Sequence, residues 1–400
     1  MKQGCSAMHV GLGVLRRPRI GVDLHILEGI HQGSRTHCIE LFSRLPELLP
    51  EADIFFLGDV PHWDTGLADR FARPNTWMVA MPHTNSITRL LRQLPALADE
   101  LNLDYLHTQY IAPPRIKCRT VVTIHDILFE THPQFFLRFF RWRSRMFVRA
   151  SAKRSALLFT VSEYSRQSIA TIYKVSLDKI TTTYNAANRE RFHPAVEDVS
   201  GVLAKYSLTQ QGYLLCVGRL EPRKNHVRLV QAFAQIAAEE RSKLVIVGQR
   251  DFGFEGTLEA IRNSGCTEDI QILEHVSDAE LPVLYKNAYA LAYPTLAEGF
   301  GMPVIEAMAC GTPVLTSSTT SLPEIAGDAA LCVDPQSVEE ICRALEALIR
   351  DPTLRQRLSK KSVRQANTFD WQVEAEKLAS AYRRSFAEAR LVQDNLTCGK

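Results

Sequence analysis

Short apolar runs alternate with amphipathic segments along the chain, and this alternation predicts its secondary structure. The runs are rich in β-branched and aromatic residues and are short enough to be buried strands. Apolar residues three and four positions apart in the intervening segments indicate helices that pack against a sheet. Regular alternation of strand and helix predicts an α/β fold with parallel sheets. The strand candidates include 20–25, 52–58, 76–82, 103–109, 121–124, 213–218, 243–248 and 290–293.

The length of the chain predicts two domains. Its 400 residues exceed one ordinary hydrophobic core, and both halves show the same alternation, so we expect two Rossmann-like domains facing a cleft. We place the first domain at 1–198 and the second at 199–371, followed by a helical segment at 372–400. Hydrophobic content of 46% and charged content of 23% are typical of a soluble globular protein. A net charge of +3 does not by itself indicate nucleic-acid binding.

The stretch 289–317 combines a strand, a glycine loop and a helix. Its apolar run ALAY predicts a strand, and residues 298–301 (EGFG) predict a loop. Pro303 suits the first helical positions, and Gly311 suits the cap that ends the helix. A loop of this kind presents backbone N–H groups and the positive end of the helix dipole to an anion. We therefore expect a phosphate group at the start of this helix.

Two carboxylates flank the predicted phosphate site. Glu298 begins the loop, and the pattern places Glu306 in the first turn of the helix. Because a carboxylate repels a phosphate, acceptance of hydrogen bonds from sugar hydroxyls is the functional explanation for both. The structural alternative is that Glu306 complements the helix dipole and Glu298 is a solvated loop residue.

Two cations follow the strand at 213–218. Arg219 and Lys224 lie in one loop, on either side of Pro222. An arginine fork and a lysine point charge at the end of a strand can neutralise a diphosphate. Each alone is more often a surface cation, but the glycine loop further along the chain gives the pair a common purpose.

Polar residues also follow strands in the first half. His125 and Asp126 stand at the carboxyl end of 121–124, where open α/β sheets place ligands. A core histidine bonded to a backbone carbonyl is the alternative for His125. Gly29 and Gly33 follow the first strand and precede a helix, where ordinary loop flexibility is the alternative.

The segment GRLEPRKN at 218–225 and the E-x7-E pair of Glu298 and Glu306 resemble the motifs of glycosyltransferase family four. The resemblance spans roughly residues 19–390. It implies the GT-B fold, in which two Rossmann-like domains face a central cleft and a C-terminal helix crosses back to the first domain. It also implies transfer of a glycosyl group from a nucleotide diphosphate sugar, with retention at the anomeric carbon.

The same resemblance assigns roles to individual residues. Glu298 would lie near the donor sugar, and Glu306 would hold the ribose of the nucleotide. Arg219 and Lys224 would bind the diphosphate. The predicted catalytic residues are His125, Glu298, Arg219 and Lys224, with Asp126 orienting the histidine. The predicted donor-binding residues are Gly33, Arg219, Lys224, His275, Val276, Glu298, Gly299, Phe300, Gly301, Met302, Pro303 and Glu306.

We expect no cofactor and no metal. The sequence has no D-x-D motif, which fits a leaving diphosphate that Arg219, Lys224 and the helix dipole neutralise. The family expectation is that the departing phosphate oxygen takes the proton of the acceptor. We assign no covalent nucleophile.

Arginines recur three and four positions apart between residues 135 and 154. One interpretation is a solvated basic face above an apolar underside. Another is a surface for anionic lipid headgroups or a phosphate-bearing acceptor, with each cation contributing about 1 kcal/mol. Nucleic acid is a third option, and we expect no such partner. The arginines are Arg138, Arg141, Arg145 and Arg149.

The motifs look most like those of bacterial mannosyl- and rhamnosyl-type transferases of surface polysaccharide assembly. This predicts a hexosyltransferase that uses GDP-mannose and a saccharide or lipid-linked oligosaccharide acceptor. One rival is a sugar-nucleotide epimerase, whose acid/base pair would have to come from His125, Glu298 and Glu306. The other rival is a non-catalytic nucleotide-binding subunit, against which the intact motifs argue.

The cysteines and the N-terminus bear on location. None of the nine cysteines forms a C-x-x-C pair, and several lie in apolar runs, so we expect reduced thiols. No window approaches the ~18 apolar residues of a membrane span, and residues 1–18 resemble a dispensable extension rather than a signal peptide. We expect a cytoplasmic protein, with any membrane contact peripheral and at the inner membrane face.

Overall fold

The first sheet lies in the N-terminal half of the chain and is parallel throughout. The computed structural model describes residues 16–28, 33–60, 63, 65–198 and 201–398, so predictions for residues 1–15 and Gly29 lie outside the described residues. The strands of this sheet are β1 (Arg19–Asp23), β2 (Asp53–Gly58), β3 (Thr76–Ala80), β4 (Tyr105–Gln109), β5 (Arg119–Thr123), β6 (Leu157–Thr160) and β7 (Ile180–Thr182). Their order is β3-β2-β1-β4-β5-β6-β7.

The second sheet lies in the C-terminal half and is also parallel. Its strands are β8 (Tyr213–Val217), β9 (Lys243–Val247), β10 (Ile270–Leu273), β11 (Ala290–Tyr293), β12 (Val314–Ser317) and β13 (Ala330–Val333). Their order is β10-β9-β8-β11-β12-β13. Central strands such as β11 are buried along their whole length, because helices cover both faces of a parallel sheet. The predicted α/β class with two Rossmann-like sheets is confirmed.

Helices connect the strands in both halves. The N-terminal half contains α1 (Gly33–Leu48), α2 (Thr65–Phe71), α3 (Ser86–Thr88), α4 (Leu94–Glu100), α5 (Leu128–Thr131), α6 (Arg138–Arg154) and α7 (Glu163–Tyr173). The C-terminal half contains α8 (Val202–Lys205), α9 (His226–Ala234), α10 (Glu255–Asn263), α11 (Leu281–Asn287), α12 (Met302–Ala309), α13 (Leu322–Ala326), α14 (Val338–Arg350), α15 (Pro352–Ala366) and α16 (Trp371–Cys398). None of the described helices combines the length and the hydrophobicity that a membrane span requires.

Helix α16 returns to the first sheet, as predicted. It packs along α1, and the Tyr382 hydroxyl lies 2.9 Å from Nδ1 of His107 on β4. The Ser385 hydroxyl lies 3.0 Å from the hydroxyl of Tyr105 on the same strand. These buried hydrogen bonds tie the end of the chain to the N-terminal half. The boundary placed at residues 198 and 199 stays a prediction.

Helix α6 lies on the protein in an orientation that the sequence did not predict. Its buried side chains are Ser144, Val148, Ser151 and Ala152, which are small or of moderate size. Phe139, Trp142 and Met146 point away from the protein instead, whereas Phe140 packs against Phe129 and Phe136. The side that carries Phe139, Trp142 and Met146 is therefore not an apolar underside, because periodicity shows which residues share a face and not which face is buried. Small residues at the contact let α6 approach its neighbours closely.

Candidate active site

The two sheets bring their ligand-binding edges to one cleft. In the first sheet the chain order reverses between β1 and β4, and in the second it reverses between β8 and β11. Open α/β sheets bind ligands at the carboxyl ends of strands at such a switch point. A cleft of about 690 Å³ lies there, which is within the usual size of small-molecule sites. The predicted residues that line it are Gly33, His125, Arg219, Lys224, Glu298, Gly299, Phe300, Gly301, Met302, Pro303 and Glu306.

The glycine loop between β11 and α12 has the expected conformation. Gly301 has a φ of 106°, a left-handed conformation that glycine adopts without strain, and α12 begins at the next residue. Ser321 donates hydrogen bonds to the carbonyls of Glu298 and Phe300, both at 3.0 Å. The loop is therefore held rigidly at the N-terminus of α12, where a helix favours an anion.

Contacts between the two halves hold the cleft together beside this loop. The Ser162 hydroxyl, which caps α7, donates to the Gly299 carbonyl at 2.6 Å. The carboxylate of Glu324 on α13 accepts from the backbone N–H of Glu163 at 2.8 Å and from the Tyr184 hydroxyl at 2.6 Å. The glycine loop therefore contacts the N-terminal half of the chain directly.

Glu298 and Lys224 form one buried network at the floor of the cleft. Lys224 Nζ lies 2.7 Å from Glu298 Oε1, which also accepts from the Tyr293 hydroxyl at 2.9 Å. Arg223 Nη1 lies 2.9 Å from the other carboxylate oxygen. Burial alone would raise the pKa of Glu298, but the two cations and the hydrogen bonds outweigh it and hold the pKa at about 2. Glu298 is therefore a fixed negative charge at neutral pH.

Arg219 lines the same cleft but has a different partner. Its Nη1 forms a 2.8 Å ion pair with Asp251 in the loop that follows β9. Its Nη2 is buried and has no hydrogen-bond partner in the described part of the chain. Since buried polar groups are almost always satisfied, this free donor is suited to an anionic ligand.

Glu306 is not where the sequence placed it. It is the fifth residue of α12, so it lies in the second turn rather than the first and does not complement the helix dipole. Its carboxylate accepts a hydrogen bond from Tyr285 at 3.0 Å. Burial raises the pKa of Glu306 to about 7, although the hydrogen bond from Tyr285 opposes the shift. A buried carboxyl with a strongly raised pKa in a ligand cleft is a candidate for ligand contact.

His125 is oriented by a residue that was not predicted. Its Nε2 lies 2.9 Å from Gln109 Oε1, and Gln109 is the last residue of β4. The Asp126 carboxylate instead accepts from the backbone N–H of Leu128 at 3.0 Å, so the predicted orienting role of Asp126 is wrong. Because an amide oxygen only accepts, His125 carries its proton on Nε2. Burial lowers the pKa of His125 well below its ordinary value, so the ring is neutral.

Two predicted residues do not line the cleft. His275 is exposed, and its carbonyl accepts from the Tyr206 hydroxyl at 3.4 Å. Val276 packs at the edge of the hydrophobic core. Their role in donor binding stays a prediction.

Three functional candidates escaped the sequence analysis, namely Arg223, Tyr293 and Gln109. Tyr293 and Gln109 end β11 and β4, the strands at the two switch points. That position was the available signal for both, since side chains at these strand ends face ligands. Arg223 lies beside Lys224 in a short 3-10 turn, Pro222–Lys224.

The chain matches two family models that together cover most of its length. Residues 31–191 match the Glycosyltransferase Family 4 model, and residues 204–365 match the model for Glycosyl transferases group 1. Among curated relatives, the O-antigen chain mannosyltransferase B of Escherichia coli is 33% identical over 73% of this chain and 77% of its own length. The O-antigen chain mannosyltransferase RfbU of Salmonella typhimurium is 31% identical over 56% of this chain and 58% of its own.

Solved structures of the same fold cover nearly the whole chain. Sucrose-phosphate synthase from Thermosynechococcus elongatus has a TM-score of 0.75 at 18% identity and covers 93% of this chain and 100% of its own. WaaG, a glycosyltransferase involved in lipopolysaccharide biosynthesis, has a TM-score of 0.69 at 17% identity and covers 90% and 98%. Identities this low establish the fold alone. Together with the family models and the 33% identical relative, they show that the chain belongs to glycosyltransferase family 4.

Proposed function

We propose that this glycosyltransferase moves a mannosyl group from GDP-mannose to a saccharide or lipid-linked oligosaccharide, with retention at the anomeric carbon. The observation that carries the proposal is the cleft network in which Lys224, Arg223 and Glu298 meet beside the N-terminus of α12. The choice of mannose is supported by the relatives, whose names include O-antigen chain mannosyltransferases.

The donor diphosphate belongs between the cations and the glycine loop. Lys224 supplies a buried positive charge, and Arg219 supplies a free Nη2 donor. The N-terminus of α12 adds backbone N–H groups and its dipole. These groups are already oriented, so they stabilise the charge that develops on the departing phosphate without reorganising. On this basis we propose that the transfer needs no metal.

The state of Glu298 supports a route without a covalent glycosyl-enzyme intermediate at that residue. A carboxylate with a pKa of about 2 is a weak base, and both its oxygens already contact cations. It is better suited to hold the sugar and the lysine in place than to attack the anomeric carbon. We therefore propose that the departing phosphate oxygen takes the proton from the acceptor hydroxyl on the face where the new bond forms.

His125 is suited to contact a sugar hydroxyl. Its Nε2–H is committed to Gln109, which leaves Nδ1 as an acceptor on a neutral ring beside the cleft. Neutrality follows from burial and the neighbouring rings of His37 and His107. A neutral acceptor can bind a hydroxyl of the donor sugar or of the acceptor without repelling the nearby cations.

We further propose that the acceptor is lipid-linked and that the protein works at the cytoplasmic face of the inner membrane. Among the described cysteines, Cys38, Cys216, Cys266, Cys310 and Cys342 are buried free thiols, which suits a reducing compartment. The exposed arginines of α6 support contact with anionic lipid.

Incubation with a panel of nucleotide sugars, with and without crude lipid acceptors, tests the proposal. We expect GDP release from GDP-mannose only when an acceptor is present, and an α-linked product that retains the donor configuration. A new sugar nucleotide would identify an epimerase, and no turnover with any donor would identify a non-catalytic subunit. Lys224→Met is the negative control, and Lys286→Met, a half-buried lysine in the last turn of α11, is the matched control.

A further inference from the structure

The outward face of α6 is an apolar ridge, defined here as Phe139, Trp142 and Met146. These side chains are 73%, 61% and 46% exposed, and they lie three and four positions apart, so they share one side of the helix. At about 100° per residue, that side lies roughly opposite the buried Ser144 and Val148. Soluble proteins rarely leave contiguous apolar surface of this kind open to water unless something binds it.

Cations frame the ridge and no acid interrupts them. All charged residues between 138 and 154 are basic. Arg145 pairs at 3.5 Å with Glu130, which belongs to the neighbouring α5 and whose side chain is only 10% exposed. Arg138 and Arg143 are exposed on the two sides of the ridge, while Arg141 and Arg149 are half-buried. The predicted arginine stripe is therefore the flank of an apolar surface rather than a surface in its own right.

We infer that α6 lies in the plane of an anionic bilayer and inserts the apolar ridge between the lipid headgroups. A helix with aromatic residues on one side and flanking arginines has the character of an interfacial helix, whose apolar side enters the headgroup region while its cations contact lipid phosphates. The membrane contact of the proposed function is thereby assigned to named residues of α6. Only the biological purpose of that contact rests on the proposed function.

Charge favours lipid over a second copy of the chain. A two-fold interface would place α6 against its own copy and bring two sets of arginines together without compensating acids on the helix. Nucleic acid would match the cations, but it offers little for a ridge that includes a methionine and projects from a convex helix. An anionic bilayer matches both the charge and the apolar surface.

Vesicle binding separates the contribution of the apolar ridge from that of the flanking arginines. The full-length protein is sedimented with vesicles of phosphatidylcholine containing phosphatidylglycerol. We expect Phe139→Ser with Trp142→Ser to weaken partitioning by roughly 100-fold, at about tenfold for each buried aromatic side chain. Arg138→Gln with Arg143→Gln should weaken it by about fivefold per cation, and only on anionic vesicles. Phe252→Ser, which removes an aromatic residue of similar exposure in the C-terminal half, is the matched control.

Tryptophan fluorescence tests the inserted residue directly. Vesicles that carry brominated acyl chains should quench part of the emission, and Trp142→Phe should abolish this quenching while it preserves binding, because phenylalanine keeps the apolar contact. Equal quenching in Trp142→Phe would overturn the inference. Tight vesicle binding by the Ser variants would also overturn it. So would dimerisation that depends on protein concentration, or nucleic-acid binding, if the Ser variants alone abolish it. Turnover of a water-soluble acceptor should be unchanged in every α6 variant, so loss of catalysis and loss of membrane binding are distinguishable.

Discussion

Replacement of Glu306 by glutamine should stabilise the protein at high pH. Burial raises the pKa of this carboxyl to about 7 from an ordinary 4.5. At about 1.4 kcal/mol per pH unit, ionisation in the folded protein costs up to about 3 kcal/mol more than in the unfolded chain. This is an upper limit, because the side chain is partly exposed to water in the cleft.

The direction in which pH changes the stability depends on which state, folded or unfolded, holds the Glu306 proton more tightly. The folded protein binds the Glu306 proton more tightly than the unfolded chain, so the penalty is absent below pH 4.5 and complete above pH 7. Glutamine carries no charge and avoids the penalty. Urea unfolding should therefore show that the advantage of Glu306→Gln grows by up to about 2 kcal/mol between pH 5.5 and pH 8. Glu339→Gln, an exposed control on α14, should change stability by less than about 0.5 kcal/mol at either pH.

Donor binding should favour the ionised form of Glu306, whereas folding favours the protonated form. If Glu306 accepts hydrogen bonds from the ribose hydroxyls, only its ionised form binds well, so nucleotide-sugar affinity should rise about tenfold from pH 6 to pH 8. A nucleotide sugar is the suitable ligand because its diphosphate does not titrate in this range. Affinity in Glu306→Gln should be low and independent of pH. An unchanged pH profile in that variant, or an equal stability change at both pH values, would refute the reasoning.

Five further substitutions, at four positions, probe the cleft. Lys224→Met should lower kcat/KM at least about 100-fold in a GDP-release assay, because it removes a preorganised cation from the diphosphate site; turnover within a few-fold of the native protein would contradict this. Gln109→Leu should lower kcat about tenfold, while Gln109→Glu should add an activity loss below neutral pH as His125 becomes protonated. Gly299→Ala should impair donor binding, since its Cβ would lie 2.6 Å from a carboxylate oxygen across the cleft, whereas Gly33→Ala meets only a flexible side chain at 3.1 Å and should be tolerated.

The fold followed from the sequence because buried parallel strands are short apolar runs. The runs that became β8 and β11 are apolar along their length, so their identity did not depend on knowing which face is buried. Helix α6 shows the limit of this reasoning. Its sequence defines an apolar side and a basic side, but the side chains that it buries are Ser144, Val148, Ser151 and Ala152. Packing against the rest of the fold determines which side of the helix is buried, and no local sequence pattern indicates that side.

The site was predictable where residues follow strands at the switch points. Lys224 and Glu298 come from the loops that follow β8 and β11, which are neighbouring strands, so topology brings them together. The hydroxyl of Tyr293 was hidden within an apolar run, and its hydrogen bond to Glu298 depends on a side-chain direction that spacing does not give. The partner of His125 was missed for the same reason, because Gln109 comes from the adjacent strand rather than from the next residue.

A crystal structure with bound GDP-mannose tests the central claim most directly. We expect the diphosphate within hydrogen-bonding distance of Lys224 Nζ, Arg219 Nη2 and the backbone N–H groups at the start of α12. The ribose should lie beside Glu306, and the sugar should lie between Glu298 and His125. A nucleotide bound outside this cleft, or a diphosphate that contacts neither Lys224 nor Arg219, would contradict the account.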